Sequence, residues 1–301
     1  MNTPKIDLKS AVLLLILAAL WGGSFLFAGI ALKQVPPLSI TLHRVFWAVL
    51  VLLALVRWQG LKFPRVWRVW RAWLVMGALN NAIPFSLIFW GQTRIESGLA
   101  SILNGTTAVF GAVVAGVLLK DEPLTGRKLL GAGFGLAGVA AIMGPEALKG
   151  FDPRNLAQLA ILAAALSYAL ASVWGKVMLK GIPPQMNALG MLMGSTVLMI
   201  PVVLLVDGPP AMALSPGIWA ALIALALLST VLAYQLYFTI LTRAGAANLM
   251  LVTLMIPPFA VGFGVMFLYE TPSPEAAIGF ALIAIGLAIT DGRLLRRIKK
   301  R

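Results

Sequence analysis

Two stretches decide how this chain is read: Leu118-Leu119-Lys120-Asp121-Glu122-Pro123-Leu124-Thr125 and Phe267-Leu268-Tyr269-Glu270-Thr271-Pro272-Ser273. Each closes one apolar run and opens another. The run after the first is punctuated by Gly131, Gly133, Gly135 and Gly138, and the run after the second by Gly279 and Gly286. Glu122 and Glu270 are 148 positions apart, and the pairs Gly131/Gly279 and Gly138/Gly286 keep that spacing. Upstream, Lys33-Gln34-Val35-Pro36-Pro37 returns 147 positions later as Lys180-Gly181-Ile182-Pro183-Pro184. Two halves with the same punctuation mean an internal duplication.

The solvent of those apolar runs is lipid. Hydrophobic residues make up 60% of the 301 and charged ones 11%, with a mean hydropathy of +0.94. A soluble domain is usually about 45–50% apolar and about 25% charged. A spanning helix needs about 20 mostly apolar residues, and ten such runs fit: 10–32, 38–57, 72–92, 97–119, 126–144, 155–179, 187–206, 216–241, 247–269 and 275–291. Helix is preferred to strand because lipid leaves no partner for open backbone edges. The first run follows the polar start Met1–Lys9 and is too long for the h-region of a secretory signal, about 7–15 residues. There is no cysteine, which excludes disulfides, thiolate metal sites and cysteine nucleophiles, and a single histidine excludes a His-rich metal site. No cofactor and no metal is implied.

The basic residues sort by side. Lys5, Lys9, Arg57, Lys62, Arg65, Arg68, Arg71, Lys120, Arg127, Lys128, Lys176, Lys180, Arg243 and the six of 293–301 fall on one alternate set of connections, 19 of the 24. Lys33, Arg94, Lys149 and Arg154 fall on the other, and Arg44 lies near the start of the second helix. The positive-inside rule then places both termini in the cytoplasm of a bacterial inner membrane. The net charge of +14 is thus a topology signal, and no nucleic-acid partner is expected. Five helices per half is an odd number, so the second half enters from the opposite side. The expected fold is all-α and integral to the membrane, two inverted five-helix repeats around a central cavity. The repeats cover 10–144 and 155–291, joined by the short polar linker Pro145–Asn155 and followed by a basic tail, 292–301.

A helix ending in Glu, a turn with Pro and then a Gly-rich helix, present in each half, resembles the EamA family of the drug/metabolite transporter superfamily. The resemblance runs from about Ser10 to Asp291. It implies export of small metabolites, amino acids foremost, by a monomer or homodimer that works in the lipid bilayer on a small-molecule substrate. Within the superfamily the aromatic amino-acid exporters are the nearest likeness. Other readings are an exporter of drug-like or cationic solutes and a membrane scaffold or channel-like subunit. An intramembrane enzyme would need a metal cluster, a catalytic dyad or paired carboxylates within the spans, and the sequence offers none.

All ten acidic residues, Asp7, Glu96, Asp121, Glu122, Glu146, Asp152, Asp207, Glu270, Glu275 and Asp291, fall at helix ends or in loops. Proton pumps commonly relay through a carboxylate inside the membrane, and the small multidrug pumps of the superfamily use a first-helix glutamate that is missing here. His43 is the remaining titratable group, beside Arg44. The resemblance puts an arginine early in the second helix; Arg44 and His43 could meet a substrate carboxylate, or Arg44 could snorkel to headgroups. Asn80 and Asn81 precede Pro84, which should kink the third helix and free carbonyls near Asn80. Asn104 sits in the polar Asn104-Gly105-Thr106-Thr107 of the fourth helix, and Tyr234 and Gln235 in the eighth. Trp21, Ser24 and Phe25 of the first helix, Trp90 of the third and Tyr168 and Trp174 of the sixth complete the candidate substrate site. Lys176 is expected to snorkel. Gly133-x-Gly135-x-x-Gly138 matches a dinucleotide fingerprint only formally, because it lies inside an apolar helix where small residues serve close packing. Phe63–Trp73 sets Arg65, Arg68 and Arg71 beside Trp67, Trp70 and Trp73, as an interfacial anchor or as a site for lipid headgroups or an anionic substrate.

Reporter tags fused at Met1 and at Arg301 should both read as cytoplasmic; a tag at either end that reads as periplasmic overturns the assignment of sides.

Overall fold

The computed structural model of the chain describes residues 7–120, 124–143, 153–244, 249 and 252–291, and these are helical apart from short connections, with no strand among them. Glu122, the linker up to residue 152 and the tail 292–301 lie outside the described residues. The helices are α1 (Leu8–Ala31), α2 (Pro37–Trp58), α3 (Trp67–Gly91), α4 (Ser97–Leu118), α5 (Gly126–Met143), α6 (Pro153–Met178), α7 (Pro184–Val206), α8 (216–244), α9 (252–268) and α10 (Pro274–Asp291). Seven of them, α1–α4 and α6–α8, are long and apolar enough to cross a membrane, and α9 and α10 carry shorter apolar stretches. Helix α3 starts five residues earlier than expected. Its Trp and Arg residues alternate at helical spacing, so the amphipathic segment continues the apolar one as a single rod.

Among the described residues, four rods are not uniform α-helix. Ala78–Ala82 in α3, Leu227–Leu232 in α8 and Gly264–Leu268 in α9 are wider π turns. The first lies just before Pro84, where the sequence predicts a defect, because proline has no N–H to close the preceding turn. The second lies at the equivalent place of the other repeat without any proline. In α4 the ladder pauses between Asn104 and Thr107, where Thr106 and Thr107 donate their hydroxyls to Leu103 O and Asn104 O, both at 2.7 Å.

The main helix pairings follow the duplication. Equivalent helices pair directly: α2 with α7, α4 with α9, α5 with α10. The first helix of each repeat lies against the third of the other, α1 on α8 and α6 on α3. Backbones approach closely between α5 and α10. A Cβ on Gly138 would fall 2.7 Å from Gly279 O, and one on Gly286 2.5 Å from Gly131 O. The glycines that marked the repeat are therefore the contact surface between its two copies, as small residues allow in lipid.

Two carboxylates tie rod ends together. Asp207, after α7, accepts from Ser39 N at 2.9 Å and Ser39 Oγ at 2.7 Å and so caps the start of α2. Glu270 caps α4: Ser97 N donates at 2.7 Å, Gly98 N at 3.0 Å, and the Ser97 hydroxyl also donates to it. Tyr269, in the left-handed region at φ 58°, turns the chain out of α9 so that Glu270 faces α4. Exposed N–H groups and the positive end of the helix dipole make this the favourable place for an anion. At the start of α1, hydrogen bonding from Ser10 and, more weakly, the Arg243 guanidinium at 3.0 Å hold the Asp7 carboxyl down at about 2.

Gly138→Leu should push α5 and α10 apart and cost about 1–3 kcal/mol, read as a lower melting temperature in detergent. Glu270→Ala should cost about 0.5–2 kcal/mol. A Gly138→Leu variant that melts like the parent would show that the α5–α10 contact is not close-packed.

Candidate functional site

In lipid a freed carbonyl must find a donor, and the π turns supply the carbonyls of this site. Leu79 O, inside the α3 turn, accepts from Ser167 Oγ of α6 at 2.7 Å. Ser229 O, inside the α8 turn, accepts from Arg44 Nη2 at 3.3 Å, while Arg44 Nε donates to Thr230 Oγ1 at 3.0 Å. The Arg44 guanidinium carbon lies over Phe85, 3.8 Å from the ring centroid. The residue is 6% exposed. The snorkelling alternative is therefore closed: Arg44 is directed into the bundle. Among the described residues it has no carboxylate partner. Burying an unpaired cation costs several kcal/mol, which the hydrogen bonds and the ring face offset only in part.

Beside it lies an amide cluster. Asn80 Nδ2 reaches Asn81 Oδ1 at 3.3 Å, the Tyr234 hydroxyl at 3.4 Å and Met191 Sδ at 3.6 Å. Asn81 is fully buried; its Nδ2 donates to Ser195 Oγ of α7 at 3.0 Å, and its Oδ1 accepts from Tyr234 at 3.4 Å. Tyr168 and Tyr234 both lie within electrostatic reach of the Arg44 guanidinium. Arg44, Asn80, Asn81, Tyr168 and Tyr234 thus come from α2, α3, α6 and α8 to one place near mid-bundle. Ser195, Thr230 and Phe85 complete it; none of the three was among the candidate site residues, although Phe85 belongs to the aromatics that recur at matching places of the sequence. Ser195 and Thr230 are single hydroxyls in apolar runs, and their proximity to the cluster depends on how the rods pair. Phe85, next to the expected Pro84 kink, carried the nearest available signal.

The other candidates fall elsewhere. His43 Nδ1 accepts from Trp47 Nε1 at 3.1 Å, and its ring meets the edge of Trp219. His43 Nε2 is buried without a partner among the described residues, as are Gln235 Nε2 and Asn104 Oδ1. Trp21 packs against Tyr237 in a separate cluster between α1, α8 and α9. Ser24 is satisfied within its own helix by Trp21 O, and Phe25 is core, its carbonyl held by Gln92 at 2.9 Å. Trp174 donates to Ala72 O at 3.0 Å and so ties α6 to α3. Trp90 is exposed on the outside of the bundle. Among the described residues no group of three His, Asp or Glu side chains is placed to hold a metal.

The model of the EamA-like transporter family matches residues 8–144 and again 155–290. The chain belongs to the EamA-like transporter family. The family's model matches the chain twice, and the chain is accordingly a multi-pass membrane transporter of the drug/metabolite type. An uncharacterized transporter of Archaeoglobus fulgidus is 28% identical over 95% of this chain and 98% of its own length. A protein of Escherichia coli named "Probable amino-acid metabolite efflux pump" is 25% identical, over 93% of this chain and 94% of its own. A "Probable terminal-alkyne amino-acid exporter" of Streptantibioticus cattleyicolor is also 25% identical, over 96% of each. A solved crystal structure superposes with a TM-score of 0.67 over 97% of this chain and 99% of that one, at 21% identity, and so shares the EamA fold.

Asn81→Ala removes the donor to Ser195 Oγ and the acceptor of the Tyr234 hydroxyl, so it should destabilise the α3–α7–α8 junction by about 1–3 kcal/mol. Ser195→Ala should cost less. Thermal melts of the two variants in the same detergent check the order.

Proposed function

We propose that this chain exports amino acids or closely related carboxylate-bearing metabolites across a bacterial inner membrane. One observation carries the reading: Arg44 is buried near mid-bundle with no counter-charge among the described residues. A guanidinium makes its strongest bonds to carboxylate or phosphate oxygens, often two at once. An anionic group on the solute supplies what the protein leaves out, whereas a cationic drug-like solute would be repelled. The amides of Asn80 and Asn81 and the phenols of Tyr168 and Tyr234 offer donors, acceptors and ring faces to the rest of the solute, which suits a neutral or aromatic amino acid. Names given to two full-length relatives, an amino-acid metabolite efflux pump and an amino-acid exporter, support the same class and the outward direction.

The mechanism is alternating access between two inverted five-helix repeats, ten crossings in all, with both termini in the cytoplasm. Support comes from the α5–α10 contact. Gly138 meets Gly279 while Gly131 meets Gly286, so these equivalent helices cross antiparallel, as an in-plane pseudo-two-fold requires. The π turns of α3 and α8 are then the equivalent weak points about which the rods rock. With no carboxylate in mid-span among the described residues, transport runs down the solute gradient.

Counterflow in proteoliposomes tests the reading with a matched pair, phenylalanine and its decarboxylated amine. Arg44→Gln should weaken apparent affinity for the amino acid about 10- to 100-fold, the worth of a charged hydrogen bond of about 1.5–3 kcal/mol. It should leave the amine no worse. Unchanged phenylalanine flux in a folded Arg44→Gln would overturn the assignment.

A further inference from the structure

We infer that the first half of α3 and the facing surface of α7 form a binding site for an anionic phospholipid of the leaflet that carries the basic connections. Four residues of α3, Trp67, Trp70, Arg71 and Leu74, fall at helical spacings of three and four and share one face. With Trp73, and with Gly190, Met193, Gly194 and Val197 of α7, they line an almost wholly apolar groove of about 260 Å³. Its floor exists because α7 has no side chains there. The Trp73 indole and the α3 backbone fill the space that a Cβ at Gly190 or Gly194 would need. Trp73, 1% exposed, thereby becomes floor, while Trp67, 72% exposed, stands as an outer wall.

A generic aromatic belt points its indole N–H groups at headgroups and water. Here two of the three are occupied inside the protein. Trp70 Nε1 donates to Pro64 O at 2.9 Å and Trp73 Nε1 to Asn187 Oδ1 at 2.9 Å. Phe63 stacks on Trp70, and Trp70 meets Trp73 edge to face at 5.3 Å. The rings are a fixed apolar surface, of the kind an acyl chain covers. The polar rim is cationic: Arg71 lines the groove, and Arg68, a turn before it, and Arg65 are exposed. None of the three has a hydrogen bond or ion pair among the described residues. A phosphate at the rim completes those arginines, and its acyl chain covers the groove; a neutral lipid does only the second.

The test uses the purified full-length protein in a neutral detergent, with phosphatidylglycerol or phosphatidylcholine added and retained lipid counted by native mass spectrometry. The expected result is phosphatidylglycerol held roughly tenfold or more tightly than phosphatidylcholine, as two basic contacts imply. Arg68→Gln with Arg71→Gln should abolish that preference. Val197→Trp, which fills the groove from its lipid-facing side, should cut retention of both lipids. Arg57→Gln, an exposed arginine on the same side away from the groove, should bind like the parent. Free glycerol phosphate should not displace the lipid. Equal retention of the two lipids by the parent, parental binding by the arginine pair variant or by Val197→Trp, an equal loss in Arg57→Gln, or displacement by glycerol phosphate would each overturn the site. Melting temperatures without lipid identify a variant that fails to fold, and the Val197→Trp arm reads the groove independently of the arginines.

Discussion

A carbonyl released from its helix inside a membrane must be given a donor, because no water is there to supply one. This chain breaks its helical ladder at equivalent places of α3 and α8 and answers each break from another rod. Ser167 of α6 reaches Leu79 O, and Arg44 of α2 reaches Ser229 O. The first bond is neutral and ends there. The second brings a guanidinium into the middle of the bundle, and much of the candidate site is a consequence of housing it. Phe85 gives it a ring face, Thr230 gives it an acceptor, and Tyr168 and Tyr234 surround it with phenols rather than carboxylates. A carboxylate in their place would neutralise Arg44 permanently and leave nothing for a solute to complete.

The scaffold around that break is held by contacts of two kinds. Glycine surfaces bring backbones together where lipid offers no hydrophobic drive between helices, as between α5 and α10. Carboxylates at helix N-termini hold rod ends: Asp207 on α2 and Glu270 on α4. Both caps act between repeats, since α7 with α2 and α9 with α4 are equivalent pairs. A motion that separates the repeats at that face has to release a carboxylate from a helix terminus. At mid-bundle the repeats are joined by the hydrogen bonds of the Arg44 guanidinium to Ser229 O and Thr230 Oγ1.

How far the sequence could be read follows from this division. The spacing of Glu270, Gly279 and Gly286 against their equivalents carried the duplication, because helix ends and close contacts recur with the repeat. Asn80, Asn81 and the break in the ladder before Pro84 were legible because amides in lipid need a reason and proline breaks a ladder; the break takes the form of a π turn. The α8 π turn was not, having no proline and being built from Leu227–Leu232, whose only polar residues are Ser229 and Thr230. Trp21 and Trp174 were misleading for one reason: an aromatic beside small residues marks close packing as readily as a binding surface. In the structure Trp174 is spent on Ala72 O and Trp21 on Tyr237. The burial of Arg44 could not be read from its distance along α2, because depth in the sequence does not say which way a side chain points.

The seam between α3 and α7 links the two places that bear unpaired cations. At one of them Trp73 lies on Gly190 and Gly194 and forms the floor of the apolar groove. At the next residue along α7, Ser195 receives the amide of Asn81, and Asn81 in turn receives the Tyr234 hydroxyl beside Arg44. Gly77 permits both, since a Cβ there would fall 2.5 Å from Met191 O and from Ser195 N. A closely packed interior transmits a displacement rather than absorbing it. Whatever fills the groove therefore bears on the same backbone contact that sets the position of Asn81. The occupancy of a surface groove and the shape of a buried polar cluster become properties of one helix pair.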